Sequence, residues 1–216
     1  MLKAAIFDFD GTLVDTEALW SKAFTKVLAE FNKQYDPKLQ KHMMSKGMLY
    51  SADFLSQTYG LSEDLEQLGQ RFSSAYKEIE EQEGVTPKDG VEVFLRNLKN
   101  SGIKTAVATA SSREYVEQQL TRLNWLDLFN LIVSVDEVAN GKPAPDVYLE
   151  AAKRLGCDKG GCVAFEDSPN GVASAKAAGL PVVGIIDKRY NDQLPGADDL
   201  VESYLDLSVE RIEGMV

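Results

Sequence analysis

The chain has 216 residues, 44% of them hydrophobic and 26% charged, which is typical of a globular protein with one sizeable domain or one domain carrying a smaller insert. Its formal net charge of −11 disfavours a general polyanion-binding surface, so we expect no nucleic-acid partner. No signal-peptide pattern opens the chain, and no apolar run approaches the roughly 20 residues that cross a bilayer, so no membrane partner is expected. The two cysteines fit a reducing compartment better than a disulfide framework. These features predict a cytoplasmic monomer.

The first predicted element is a strand over residues 2–9, an apolar run that ends at Asp8 and Asp10. Side chains alternate along a strand, so these two carboxylates share a side while the chain stays extended. They repel each other at that spacing and are expected to need a cation, a shared proton or strong hydrogen-bond donors. Gly11 then lets the backbone turn or approach a ligand closely. By itself the pattern is equally compatible with a strand followed by a polar turn.

From Leu13 to Val85 the apolar spacing predicts helices and no strand. Predicted helical segments cover residues 18–31, 37–45, 50–59 and 62–82. Ser62, followed by two acidic residues, is the predicted start of the last segment. The chain therefore carries an all-helical block directly after its first strand.

Beyond Gly84 the pattern alternates between strand and helix. Strands are predicted over residues 104–109, 131–135, 162–165 and 181–186, and helices over 89–100, 112–123, 145–155 and 169–178. This alternation is typical of a parallel sheet covered by helices on both faces, with ligands at the carboxyl ends of the strands.

The residues that follow these strands carry the candidate chemistry. They are Asp8 and Asp10 after the first strand, Thr109, Ala110 and Ser111 at the second, Lys142 after the third, and Glu166 and Asp167 after the fourth. Hydroxyl groups and an ammonium suit phosphate oxygens. Several carboxylates together suit a hard cation such as Mg²⁺.

In these motifs the chain resembles the haloacid dehalogenase-like superfamily of phosphotransferases, and within it the β-phosphoglucomutase-like phosphatases. Asp8-Phe9-Asp10-Gly11-Thr12-Leu13 matches the first family motif, Thr109 the second, Lys142 the third, and Glu166-Asp167-Ser168 with Gly171 the fourth. Four motifs in order, over essentially the whole chain, make the resemblance specific.

The resemblance implies an α/β fold: a Rossmann-like, three-layer core with a parallel sheet, and an inserted helical-bundle cap domain. Residues 1–15 and 86–216 would form the catalytic core domain, and residues 16–85 the cap. It also implies Mg²⁺ as the cofactor and a small phosphorylated metabolite as the partner. The expected activity is that of a phosphatase working through an aspartyl phosphate.

The resemblance further implies a role for each matching residue. Asp8 would be the nucleophile and Asp10 the general acid and base. Thr109 and Lys142 would hold the transferring phosphoryl group. Mg²⁺ would be bound by Asp8, Asp167 and the backbone carbonyl of Asp10, with Glu166 as a metal-linked or an orienting acid. Gly11, Ala110 and Ser111 are further expected to contact substrate in the core, and Lys46 and Trp20 in the cap.

Two other functions stay open from the sequence. A β-phosphoglucomutase-type mutase would share the aspartyl phosphate, but its cap histidine is replaced here by Leu19-Trp20, and 46–51 lacks an arginine. A non-catalytic phosphometabolite-binding module is the other alternative. The nucleophile and the acid–base residue are both present, which disfavours such a module. The run Asp15-Thr16-Glu17-Ala18-Leu19-Trp20 is similar to that of sugar-phosphate phosphatases of this branch, so we expect hydrolysis of sugar or polyol phosphates.

Overall fold

The computed structural model describes residues 1–44, 46–190 and 193–216. It divides into two compact units. The α/β unit comprises Met1–Val14 and Thr86–Val216, and the helical unit comprises Asp15–Val85.

The α/β unit is built on a six-stranded parallel sheet. Its strands are β1 (Ala4–Phe7), β2 (Lys104–Thr109), β3 (Leu131–Ser134), β4 (Cys162–Glu166), β5 (Val182–Ile185) and β6 (Asp199–Val201), in the order β3-β2-β1-β4-β5-β6. The chain's α-helices are α1 (Thr16–Glu30), α2 (Met48–Tyr59), α3 (Leu65–Glu83), α4 (Val91–Asn100), α5 (Arg113–Arg122), α6 (Asp146–Leu155), α7 (Pro169–Ala177) and α8 (Val209–Glu213). The predicted α/β fold with a parallel sheet is confirmed.

The strand register sets the position of the motif residues. In the centre of the sheet, Phe7 of β1 is level with Val107 of β2 and Phe165 of β4. Asp8 and Glu166, the next residues of their chains, therefore emerge side by side, and the backbone N–H of Asp8 donates to the Phe165 carbonyl oxygen at 3.0 Å. Thr109 ends β2 at the same edge of the sheet.

The two faces of the sheet have different cores. On one face Phe7 stacks on Phe165, with ring centroids 4.4 Å apart, and contacts Phe94 of α4 edge-on. On the other face Ile6 belongs to a buried cluster that includes Tyr148 of α6. Because side chains alternate along a strand, Asp8 continues on the side of Ile6, the side of α6.

The helical unit contains α1, α2, α3 and a 3₁₀-helix over Pro37–His42. Helix α3 begins at Leu65 and not at the predicted Ser62, because the Asp64 carboxylate accepts hydrogen bonds from the backbone N–H groups of Glu66 and Gln67. The predicted segment 37–45 is a 3₁₀-helix over its first six residues, and its last residue, Ser45, lies outside the described residues. All helices in the described part of the chain are too short or too polar to cross a bilayer.

The sequence predicts neither the last strand nor the last α-helix. Strand β6 has only three residues and lies at the edge of the sheet, where Leu200 remains 41% exposed. Helix α8 has five residues. Neither is long enough to show a hydrophobic period, so the sequence carries no signal for them.

Candidate active site

A buried lysine joins two of the strand ends. The Lys142 Nζ atom lies 2.7 Å from Asp8 Oδ1 and 2.6 Å from Glu166 Oε1. Its side chain is only 8% exposed, and that of Glu166 is fully buried. Two of the three ammonium N–H groups therefore have carboxylate partners, and among the described residues the third has no protein acceptor.

Three carboxylates meet beside this lysine. Asp8, Glu166 and Asp167 each offer an oxygen, and these three oxygens lie within 4.8 Å of one another. One ammonium cannot neutralise three carboxylates, so the cluster retains net negative charge. Oxygen donors of this kind suit a hard divalent cation, and this cluster could hold one.

Asp167 is positioned by the first motif. Thr12 donates a hydrogen bond from Oγ1 to Asp167 Oδ1 at 3.1 Å. Gly11 has a φ of +77°, and a Cβ atom there would lie 2.0 Å from Asp167 Oδ2. The glycine therefore provides both the left-handed turn and the space for this carboxylate.

Asp10 and the second motif form a separate group of contacts. Ser111 donates from Oγ to Asp10 Oδ2 at 2.5 Å. The backbone N–H of Ser111 donates to Thr109 Oγ1 at 3.0 Å. Thr109 is buried, whereas Ala110 is exposed. The acid predicted to exchange protons with the substrate is thus held by the hydroxyl of Ser111, which follows the second motif.

Burial and charge shift the proton affinities of the central groups. Burial raises the pKa of Glu166, the Lys142 ammonium opposes that shift, and the Asp8 carboxylate adds to it. Burial alone would lower the pKa of Lys142, but the charges of Asp8 and Glu166 outweigh it and raise the pKa above its usual value. The lysine is therefore a cation over the physiological range.

The two predicted substrate contacts of the cap lie in the helical unit. Trp20 stacks on Tyr76, with ring centroids 4.2 Å apart. It also lines a cavity of about 300 Å³ together with Phe24, Met43 and Met48. Lys46 contacts Tyr50, its Nζ lying 3.3 Å from the hydroxyl and 4.6 Å from the ring centroid.

Some residues at the site had no role assigned from the sequence. Tyr148 donates from its hydroxyl to Glu166 Oε1 at 2.6 Å, and Ser168 lies 3.4 Å from Glu166 Oε2. A Cβ atom at Gly171 would lie 1.9 Å from the same carboxyl group. Ser168 and Gly171 stand in the fourth motif, which was a usable signal. In the sequence Tyr148 occupies one of the apolar positions of α6, and its contact with Glu166 becomes visible only in the packed structure.

Comparison with known proteins agrees with the predicted family. The model of the haloacid dehalogenase-like hydrolases matches residues 5–185. The chain is 31% identical over 208 residues to a bifunctional riboflavin kinase/FMN phosphatase of Arabidopsis thaliana, covering 95% of this chain but only 54% of that protein. It is 32% identical over 186 residues to a phosphorylated carbohydrates phosphatase of Thermotoga maritima, covering 86% of each chain.

A solved structure shows the same overall likeness. It is the crystal structure of a haloacid dehalogenase family hydrolase of Deinococcus radiodurans with bound phosphate and sodium, 26% identical, with a TM-score of 0.79 and coverage of 100% of this chain and 97% of that one. With the family model matching most of its length, the chain belongs to the haloacid dehalogenase-like hydrolases.

Proposed function

We propose that the chain is a Mg²⁺-dependent phosphatase that hydrolyses small phosphorylated metabolites through an aspartyl phosphate on Asp8. The observation that carries the proposal is the buried Lys142 ammonium held between Asp8 and Glu166. A cation in that place is suited to draw a phosphoryl group onto the adjacent carboxylate and to offset the charge of its oxygens.

The residues present fit a magnesium ion. Asp8 and Asp167 offer hard oxygen donors beside each other, and the surplus of carboxylates over ammonium groups calls for a further positive charge. Glu166 already accepts hydrogen bonds from Lys142 and Tyr148, which favours an orienting role for it. We therefore assign the metal to Asp8, Asp167 and the backbone carbonyl of Asp10. When bound, Mg²⁺ would supply positive charge to the phosphoryl oxygens.

In the first step the Asp8 carboxylate attacks phosphorus. A new bond forms between an Asp8 oxygen and phosphorus, and the bond from phosphorus to the substrate oxygen breaks. Asp10 in its protonated form gives its proton to that leaving oxygen. Lys142 directs its remaining N–H group at the phosphoryl oxygens, and the Thr109 hydroxyl at the same edge of the sheet adds a donor.

In the second step water takes the phosphoryl group. The Asp10 carboxylate removes a proton from the attacking water, the new bond from oxygen to phosphorus forms, and the bond to Asp8 breaks. Inorganic phosphate leaves, and Asp8 is a free carboxylate again. The Ser111 hydroxyl holds the Asp10 carboxylate during this exchange.

Sugar and polyol phosphates are the proposed substrate class. The relative from Thermotoga maritima is named for phosphorylated carbohydrates. The net charge of −11 in this chain leaves local groups such as Lys142 to attract the anionic end of such a molecule.

The test is phosphate release from a panel of sugar, polyol and nucleotide phosphates, with Mg²⁺ and with EDTA. We expect Mg²⁺-dependent release from a few sugar or polyol phosphates and none from Asp8→Asn. Asp127→Asn is the matched control, because this exposed carboxylate pairs with the surface residue Lys99 and its replacement should leave turnover unchanged.

Two outcomes would contradict the proposal. Isomerised sugar phosphate without phosphate release would indicate a mutase. Binding of the phosphorylated compounds without either product would indicate a non-catalytic module.

A further inference from the structure

Glu166 Oε1 accepts hydrogen bonds from two residues of the same polar cluster. Lys142 Nζ lies 2.6 Å from this oxygen, and the Tyr148 hydroxyl also lies 2.6 Å from it. Glu166 and Tyr148 are both fully buried. A buried carboxylate depends on protein donors to hold its charge and orientation, so the tyrosine hydroxyl bears directly on where Glu166 points.

Tyr148 makes a second contact within this cluster. The Lys142 Nζ atom lies 5.2 Å from the centroid of the Tyr148 ring, within the range of a cation–π interaction. One side chain thus contacts the ammonium with its ring and the partner carboxylate with its hydroxyl. The ring is fixed in turn by its place in α6, within the buried cluster that also contains Ile6 of β1.

The lysine stands between two carboxylates that compete for it. Asp8 lies at 2.7 Å and Glu166 at 2.6 Å, so a small movement of Glu166 would draw the ammonium toward or away from Asp8. Attraction between such charges in a buried site is strong and steeply dependent on distance. A donor that holds Glu166 in place therefore sets the position of the ammonium relative to the nucleophile.

We propose that Tyr148 is a positioning residue of the reaction, which holds Glu166 and thereby fixes the Lys142 ammonium against the phosphoryl group. This inference rests on the proposed phosphatase function. It assigns Tyr148 no contact with substrate. The residue acts through its hydrogen bond to Glu166 and its ring contact with Lys142.

The test compares Tyr148→Phe and Tyr148→Leu with the unchanged protein, using p-nitrophenyl phosphate with Mg²⁺. Tyr148→Phe keeps the ring and removes only the hydroxyl. We expect kcat to fall about tenfold with KM changed less than about threefold, because a displaced ammonium matters most where charge builds up in the transition state. Tyr148→Leu also removes the ring and should lower kcat further, to about one-hundredth.

The matched control is Tyr76→Phe in the helical unit. The Tyr76 hydroxyl donates a buried hydrogen bond to Glu80 Oε1 at 3.0 Å, and the substitution removes it. We expect it to keep the unchanged protein's kcat. Melting temperatures of Tyr148→Phe and Tyr76→Phe should be similar. Inhibition by orthovanadate, which resembles a transferring phosphoryl group, should weaken in Tyr148→Phe in proportion to kcat and stay unchanged in Tyr76→Phe.

The inference is overturned if Tyr148→Phe turns over within twofold of the unchanged protein. It is overturned too if KM alone rises, or if Tyr148→Phe melts far below Tyr76→Phe, since either result assigns a binding or merely structural role. If neither the unchanged protein nor Asp8→Asn releases nitrophenol, the proposed phosphatase function itself is wrong. These results are distinguishable within one set of assays.

Discussion

Replacing Gly171 by alanine tests the packing around Glu166. Gly171 lies in the first turn of α7, where its N–H donates to Ser168 Oγ at 3.0 Å. An alanine Cβ would lie 1.9 Å from Glu166 Oε2, whereas ordinary contact begins at 3.4 Å. The carboxyl group would have to shift by about 1.5 Å, the difference between these two distances. It cannot do so and keep both of its 2.6 Å hydrogen bonds.

The cost follows from those hydrogen bonds. Each hydrogen bond to a charged group contributes about 1.5–3 kcal/mol to the free energy of unfolding. Most of that contribution is lost when the buried carboxylate is left poorly paired. Losing the bonds from Lys142 and Tyr148 should therefore cost about 3–6 kcal/mol, a large part of a typical unfolding free energy of about 5–15 kcal/mol. We expect a melting temperature about 10 °C lower. The displaced lysine should reduce kcat/KM at least about 100-fold.

The assay pairs thermal unfolding, followed by circular dichroism, with kcat/KM for p-nitrophenyl phosphate. Gly160→Ala is the matched control, because a Cβ there meets no atom within 4 Å. It should leave activity unchanged and stability within about 1 kcal/mol. A Gly171→Ala protein with unchanged melting temperature and activity would refute the reasoning, since Glu166 could then move freely without consequence.

Three further predictions can be checked with the same assays. Lys142→Met leaves Asp8 and Glu166 without their shared cation, so turnover should fall below detection and stability by about 3–5 kcal/mol, measured by phosphate release and by denaturant unfolding. Chelation with EDTA should abolish phosphate release, and added Mg²⁺ should restore it; full activity after exhaustive chelation would contradict the metal assignment. Burial by itself would raise the pKa of Asp187, but the hydrogen bonds from Arg189 and the charge of Lys88 lower it from 3.8 to about 2. The resulting stabilisation, up to about 2 kcal/mol, is present above about pH 4 and lost as the pH falls through about 2. Asp187→Asn should therefore flatten the acid limb of a stability–pH curve, and an unchanged acid limb would exclude this pair as its cause.

The strand-end motifs were predictable because each depends on a short local pattern. Apolar runs ending in Asp8, Thr109 and Glu166 identify three strands, and parallel strands bring their carboxyl ends to one edge of a sheet. The order of the motifs along the chain is enough to indicate the family.

Helix starts and edge elements were less predictable. Ser62 and Asp64 are both good capping residues, and only the backbone geometry selects Asp64 for α3. Strand β6 forms because the edge of β5 is open for pairing. The sequence of its three residues does not show that this edge is available. Such choices depend on neighbours that are distant in sequence.

Local sequence patterns are sufficient to predict the alternating strand–helix order, the all-helical block, and the acids, hydroxyls and lysine that follow the strands. Which of these groups contact one another depends on the packing of the folded chain. Lys142 meets Asp8 across 134 positions of sequence, and Tyr148 meets Glu166 because α6 packs on the face of the sheet to which Asp8 points. A hydrogen bond requires a donor–acceptor distance correct to within a few tenths of an ångström, and the close packing of the core provides that precision.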